Sequence, residues 1–294
     1  MRRAFARTVL THCNHDDWFF LTGDLGFMAL EEIQSAFGSR FINAGLAEQN
    51  MIGVAAGLAR ESMRVIVYTI APFCYARPFE QIRNDLCHGN LPVCLVGNGG
   101  GYAYGHMGPS HHALEDCAAM SALGVRVLVP AFDDDIPALL GHLEVPTYLR
   151  LGCDVRPAGQ SVPEYAPWRE VLPGHRGAIV ALGPLGGVAW QALSDLDLDS
   201  RPSVWVVCEL DDADIPPRFL DQIAGSPLYV LEEHIAQGGL GMRLALSIAA
   251  RGLTVERLVH RTALGYPTGR FGSQSFHCAQ CKLDASSIRA MIAR

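Results

Sequence analysis

Short runs of apolar and β-branched residues alternate with helical segments along this chain, and that alternation restricts the fold more than any other feature. In the first half it predicts strands over 18–22, 41–42, 64–69, 92–96, 125–129 and 147–151. Helices are predicted between them over 27–37, 47–61, 76–88, 113–122 and 133–142. Strands joined by helices lie parallel, and the helices cover both faces of the sheet.

The alternation stops in a segment rich in proline and glycine and then resumes. Strands are predicted over 178–182, 203–207, 228–231 and 255–259, and helices over 187–193, 217–224, 240–251 and 285–293. We therefore predict an α/β protein with two domains, 1–152 and 177–294, each a mostly parallel sheet flanked by helices. Residues 153–176 are predicted to form the linker.

Charge and cysteine usage restrict the partners and the compartment. The net charge is −7 and no basic run stands out, which argues against a nucleic-acid partner. The apolar stretch over 178–190 is broken by glycine and proline, so no membrane span is predicted, and the N-terminus lacks the apolar core of a signal peptide. The nine cysteines are scattered without the spacing of a disulfide framework, which predicts a cytoplasmic protein. Cys278 and Cys281 form a single CxxC pair without a second one, so no metal site is predicted.

One carboxylate stands out in the segment 41–59, which reads FINAGLAEQNMIGVAAGLA. Glu48 falls in the first turn of the predicted helix, where free amide groups and the helix dipole favour an anion. The residues that follow are small, which leaves room for close approach. A carboxyl group held in an apolar niche is suited to exchange protons with a nitrogen heterocycle.

Three further motifs accompany Glu48 in a fixed order: Gly23-Asp24-Leu25-Gly26, Glu80-Gln81-Ile82-Arg83 and Gly108-Pro109-Ser110-His111-His112. Together with Glu48 they resemble the pyrimidine-binding domain of the transketolase family of thiamine diphosphate enzymes. The part of the chain after the predicted first domain 1–152, called here the second block as distinct from the first block 1–152, resembles the transketolase C-terminal domain. The resemblance is clearest at Glu232-Glu233-His234 and Gly238-Gly239-Leu240-Gly241. The resemblance covers essentially the whole chain.

The diphosphate-binding domain of that family carries Gly-Asp-Gly and a downstream asparagine, and Gly23-Asp24-Leu25 does not match that motif. The resemblance therefore implies the C-terminal subunit of a split transketolase, a transferase that is active only with an N-terminal partner subunit. That partner would hold the diphosphate of the thiamine diphosphate through Mg²⁺. We expect this chain to self-associate through its 47–61 and 76–88 faces, as the dimer core of a heterotetramer.

The resemblance also implies the roles of individual residues. Glu48 matches the glutamate that hydrogen-bonds the pyrimidine nitrogen N1′, and His111 matches the active-site histidine that contacts substrate oxygens. The implied cofactor-binding residues are Asp24, Glu48, Ile70, Phe73 and Tyr75. The implied substrate-binding residues are Arg150, which matches an arginine that binds the substrate phosphate, Ser110 and Met107.

Three positions depart from the sugar-phosphate transketolases. Met107 stands where those enzymes have an aspartate that reads a substrate hydroxyl, Gly99 where they have a phosphate-binding histidine, and Met28 where they have a serine. Neither a thioether nor a glycine can supply a charge-assisted hydrogen bond. We therefore expect a less polar pocket and an acceptor other than an ordinary aldose phosphate, or one that is bound differently.

Alternatives within thiamine chemistry are the β subunit of a 2-oxo acid dehydrogenase and a relative of deoxyxylulose-phosphate synthase. The Ser110-His111 pair favours the transketolase side over the dehydrogenase. An alternative from a different class is a cofactor-binding paralogue without turnover. The leading interpretation is transfer of a two-carbon ketol unit, or a related acyl unit, from a ketose-type donor to an aldehyde.

Overall fold

Six parallel strands form the first sheet, in the order β2–β1–β3–β4–β6–β5. The computed structural model describes residues 1–13, 16–26, 29–141, 143–211 and 215–293. The strands are β1 Trp18–Thr22, β2 Phe41–Asn43, β3 Arg64–Ile70, β4 Val93–Asn98, β5 Arg126–Leu128 and β6 Thr147–Leu151. The central strands are buried along nearly their whole length, which explains their continuous apolar runs.

Helices cover both faces of this sheet. Helices α1 Arg2–His12, α2 Glu31–Phe37 and α7 Ile136–Leu140 pack on one face. The other face carries α3 Glu48–Arg60, α4 Ala71–Tyr75, the short α5 Phe79–Gln81, a π-helical turn Ile82–Cys87 and α6 Asp116–Ala122. Each face thus buries its own hydrophobic core.

The helix predicted over 76–88 is wrong in its limits. The chain is already helical from Ala71 to Tyr75, and the helical path is interrupted before Phe79. The interruption falls at Pro78, which has no amide hydrogen to continue the helix. Helix α2 begins at Glu31, and residues 27 and 28 of its predicted range lie outside the described residues.

The second sheet has five strands, in the order β11–β10–β8–β9–β7. They are β7 Trp168–Leu172, β8 Ala178–Leu182, β9 Ser203–Val207, β10 Pro227–Leu231 and β11 Arg257–Arg261. Strand β7 runs antiparallel to β9, and the other neighbouring strands pair in parallel. The helices are α8 Leu185–Leu193, α9 Pro217–Ile223, α10 Leu240–Ala250, α11 Gln274–Gln280 and α12 Ala285–Ile292. The predicted α/β class with two mostly parallel sheets is confirmed.

Strand β7 was not predicted, and it lies inside the range 153–176 that the sequence indicated as a linker. Its charged residues, Arg169 and Glu170, hide the strand pattern. Arg169 is nevertheless buried, because its Nη2 donates to the Asp135 carboxylate of the first block at 2.5 Å. The part of the predicted linker around β7 therefore belongs to the second sheet, and the domain limits stay a prediction.

Among the described residues, no helix has both the length and the apolar character needed to cross a bilayer. The strands of the first sheet all point the same way, so their carboxyl ends meet at one edge. The segments that follow β1, β2, β3 and β4 contain Asp24, Glu48, Phe73 and His111 in turn. This is the edge at which open parallel sheets commonly bind ligands.

Candidate active site

Glu48 is the first residue of α3, directly after the turn that leaves β2. Its side chain is buried, with 6% of the residue exposed. The positive end of the helix dipole stabilises a carboxylate at this position. The position in the first helical turn agrees with the sequence-based prediction. A buried carboxylate at the sheet edge is the most specific chemical group of the site.

The surroundings of the Glu48 carboxylate are not the apolar niche that the sequence suggested, because a cationic side chain contacts it. Arg77 Nη1 donates to Glu48 Oε1 at 2.5 Å, so the carboxylate faces a cation. The guanidinium carbon of Arg77 also lies 3.6 Å from the centroid of the Phe73 ring. Arg77 follows Phe73 by four residues, which gives it this position, but its pairing with Glu48 spans 29 residues and has no local sequence signal.

Aromatic rings and a histidine continue the site from Phe73. The His111 ring lies 5.2 Å from Phe73 and 6.2 Å from Tyr104, with an edge-on orientation in both contacts. Ser110 Oγ and His111 Nδ1 are 2.9 Å apart, which leaves Nε2 as the ring nitrogen for another partner. Met107 belongs to the same loop and is 59% exposed. The structure thus brings Glu48, Phe73 and His111 into one connected cluster.

Tyr104 explains why residue 99 is a glycine. A Cβ atom on Gly99 would lie only 2.3 Å from Tyr104 Cε2, and Gly99 has a φ of +77°. The Tyr104 hydroxyl accepts a hydrogen bond from Asn98 Nδ2 at 2.7 Å. The tyrosine therefore takes the space that a larger side chain at position 99 would need. Met28, the third departure from the family pattern, lies outside the described residues.

Asp24 and Ile70 lie at strand ends on the same edge. The Asp24 amide donates to the Gly45 carbonyl at 3.2 Å, and Asn43 Nδ2 reaches Asp24 Oδ1 at 3.5 Å. These contacts place the exposed Asp24 beside the turn that leads into Glu48. Ile70 ends β3 and precedes α4, with part of its side chain exposed. Both positions are compatible with cofactor contacts, and their roles stay predictions.

Tyr75 lies apart from the exposed cluster. It is buried in the core beneath α4, and burial together with the nearby Glu115 carboxylate raises the pKa of its hydroxyl. Phe73, two residues earlier, is partly exposed. Since α4 turns these two rings to different sides, the structure offers Phe73 rather than Tyr75 to a ligand.

Arg150 also differs from what its expected role requires. It is 5% exposed, and its Nε lies 2.9 Å from Asp116 Oδ2. Its Nη2 donates to the carbonyls of Ala113 and Glu233, each at 2.8 Å, and so links the first block to the second. This geometry favours a structural role for Arg150. Its binding of a substrate phosphate stays a prediction.

Asp116, Cys117 and His234 place potential metal ligands within 4.8 Å of one another. The histidine, however, is already satisfied. Its Nε2 accepts the Ala118 amide at 3.2 Å, and its Nδ1 donates to the Ile235 carbonyl at 2.7 Å. With both nitrogens occupied, His234 has no free lone pair for a cation. The cluster is a buried hydrogen-bonded contact between the two blocks.

A comparison with protein families gives this fold and site a class. Residues 4–150 match the family described as transketolase, pyrimidine binding domain. The chain belongs to the transketolase family. Membership implies dependence on thiamine diphosphate. The residues fit its aminopyrimidine ring, because a buried carboxylate and a partly exposed aromatic face both lie within reach of one planar group, the Arg77 guanidinium.

Particular relatives are similar over most of the chain. An apulose-4-phosphate transketolase subunit of Phocaeicola vulgatus is 29% identical, over 88% of this chain and 89% of that protein. A putative transketolase C-terminal section of Methanocaldococcus jannaschii is 27% identical, over 99% and 95%. The 1-deoxy-D-xylulose-5-phosphate synthase of Thioalkalivibrio sulfidiphilus is 30% identical, over 90% of this chain but 41% of that protein.

Among solved structures, a split-gene transketolase described as an inactive β4 tetramer superposes with a TM-score of 0.81. It is 26% identical, and the match covers 99% of this chain and 96% of the other. Over most of its length the chain is thus similar to proteins named as a transketolase subunit, a transketolase C-terminal section and a split-gene transketolase.

Proposed function

We propose that the chain is the C-terminal subunit of a split transketolase that transfers a two-carbon ketol unit from a ketose-type donor to an aldehyde acceptor. The observation that carries the proposal is the buried Glu48 carboxylate at the sheet edge, which Arg77 links to the Phe73 ring, and Phe73 in turn contacts His111. A carboxyl group and an aromatic face are what a flat, basic heterocycle requires.

When bound, thiamine diphosphate would supply the carbon nucleophile for cleavage of the carbon–carbon bond. Glu48 would hold a proton at the pyrimidine nitrogen N1′, and Phe73 would stack on the ring. Ser110, 2.9 Å from His111 Nδ1, would orient the imidazole so that Nε2 can contact substrate oxygens. Asp24 would contribute a negative charge beside the same turn.

The diphosphate and its Mg²⁺ would be held by an N-terminal partner subunit, and activity would require that partner. We propose that two copies of this chain form the core of a heterotetramer. Helix α3 supports this, because Leu46 before it is 83% exposed and a Cβ on Gly53 or Gly57 would meet nothing. A cytoplasmic location is proposed on the nine cysteines, all of which are free.

The substrate pocket is proposed to be less polar than that of pentose-phosphate transketolases. Tyr104 fills the space above Gly99, and Met107 exposes a thioether. The relative from Phocaeicola vulgatus is named for apulose 4-phosphate, so we include that sugar phosphate in the donor panel. Rapid turnover of xylulose 5-phosphate with ribose 5-phosphate would contradict the proposed pocket.

Substitution of Glu48 tests the proposal, with the chain assembled with its partner, thiamine diphosphate and Mg²⁺. Glu48→Ala is expected to lower kcat by about 100-fold or more, because general acid–base groups contribute factors of that order. Glu256→Gln is the control, since Glu256 is an exposed carboxylate directly before β11 and outside the 47–61 face proposed for self-association. Full activity of Glu48→Ala would refute the proposed function.

A second candidate is a deoxyxylulose-phosphate synthase-like reaction that uses a 2-oxo acid donor. The 30% identity to such an enzyme over 90% of this chain favours keeping it. The two activities are distinguished by the donor consumed and by release of CO₂, which only the 2-oxo acid reaction gives. A cofactor-binding paralogue without turnover would bind thiamine diphosphate in a calorimetric titration of the mixed subunits but would consume neither donor.

A further inference from the structure

Arg77 occupies both surfaces that the cofactor's pyrimidine ring would need. One surface is the Glu48 carboxylate, which receives the Arg77 Nη1 hydrogen bond at 2.5 Å. The other is the face of Phe73, over which the guanidinium carbon lies at 3.6 Å. Among the described residues, Arg77 is the only cationic side chain that forms an ion pair with Glu48.

The guanidinium group resembles the edge of an aminopyrimidine in the features that matter here. It is planar, it stacks on aromatic rings, and it donates N–H groups in its own plane to a carboxylate. A second planar group cannot stack on the same face of Phe73 and bond the same oxygen of Glu48 while Arg77 remains there. The contact is therefore competitive with the ring.

Arg77 can leave without disturbing the core. Its side chain is 45% exposed, whereas that of Glu48 is 7% exposed. Its backbone carbonyl is held by Gln49 Nε2 at 3.3 Å, so the side chain can move while the main chain stays in place. Rotation of an exposed arginine about its side-chain bonds is fast compared with enzymatic turnover.

We propose that Arg77 is an internal competitor of the cofactor, whose guanidinium fills the pyrimidine position until thiamine diphosphate displaces it. This inference rests on the proposed function. It means that the free subunit keeps its acid and its stacking ring covered, and that cofactor affinity is reduced by the cost of moving Arg77. Assembly with the partner, which supplies the diphosphate contacts, then provides the binding free energy for the exchange.

The test is a titration of thiamine diphosphate with Mg²⁺ into the chain assembled with its partner, followed by calorimetry. Arg77→Gln is expected to bind the cofactor about 5- to 30-fold more tightly, the range given by a half-exposed ion pair plus a cation–π contact. Arg77→Lys keeps the charge without the planar fork and is expected to fall between it and the wild type. Arg176→Gln, an exposed arginine of the second block, is the control and should bind like the wild type.

The outcomes separate this inference from the proposed function. If the wild-type assembly binds the cofactor and Arg77→Gln binds it equally or more weakly, Arg77 is not a competitor, while the proposed function stands. If only Arg77→Gln binds, Arg77 blocks the site permanently, which contradicts displacement by the cofactor and the proposed function of the wild-type assembly. If neither assembly binds, both proposals fail. Melting temperatures of all variants confirm that each one is folded.

Discussion

Replacement of Arg150 by methionine should unfold the protein more easily rather than weaken phosphate binding. Arg150 is buried, with Nε 2.9 Å from Asp116 and Nη2 bonded to two carbonyls. Asp116 also accepts the Tyr148 hydroxyl at 2.7 Å and is itself buried. The substitution leaves a carboxylate without its cation in the core, which costs about 3 to 5 kcal/mol.

The assay is urea unfolding of Arg150→Met and of the double variant Arg150→Met/Asp116→Asn. The double variant should recover part of the loss, because its buried carboxylate is gone. Arg64→Gln is the control. Its ion pair with Asp17 spans 3.6 Å between exposed side chains and should contribute about 1 kcal/mol or less.

The reasoning is refuted by a different pattern. If Arg150→Met unfolds within about 1 kcal/mol of the wild type and raises only the KM of phosphorylated donors, the buried contacts are not structural. Arg150 would then have the phosphate-binding role that the sequence resemblance implied.

Three further predictions follow from buried or crowded groups. Burial lowers the pKa of His234, whose Nε2 accepts the Ala118 amide. As the pH falls below about 6.5, the His234 imidazole therefore gains a proton in the unfolded chain first, and the free energy of unfolding decreases. Urea unfolding across that range should show a flatter profile for His234→Gln, and an unchanged slope would contradict this. Gly99→Ala should displace Tyr104, whose ring lies 2.3 Å from the added Cβ, and lower the melting temperature; a wild-type melting curve would argue against that crowding. Cys153 is the exposed cysteine, so the native protein should show one fast thiol with Ellman's reagent and Cys153→Ser none, whereas two fast thiols would be inconsistent.

Most strands could be predicted because burial on both faces requires continuous apolar runs. Strands β3, β4 and β6 are such runs, and the structure extends the first two by one or two residues at their carboxyl ends. Strand β7 could not be predicted, since its Arg169 is buried only by virtue of a carboxylate 34 residues away. Helix α1 was also missed, because its charged residues obscure the apolar face that packs on the sheet.

The candidate site divides in the same way. The position of Glu48 at a helix start follows from a local turn and a run of helix-forming residues, so the sequence alone indicates it. Arg77 and Arg150 carry no local signal of what they contact. Their partners lie 29 and 34 residues away, in segments that only the folded sheet brings together.

The sequence by itself determined the α/β class, the two sheets, the family and the acid at the head of α3, because these depend on periodicity and local motifs. Only the tertiary structure decided that Arg77 pairs with that acid, that the Phe73 ring is accessible to a ligand, and that Arg150 is buried in structural contacts. Those outcomes depend on distances between separate segments, and a side chain's chemistry is set by the neighbours that packing gives it.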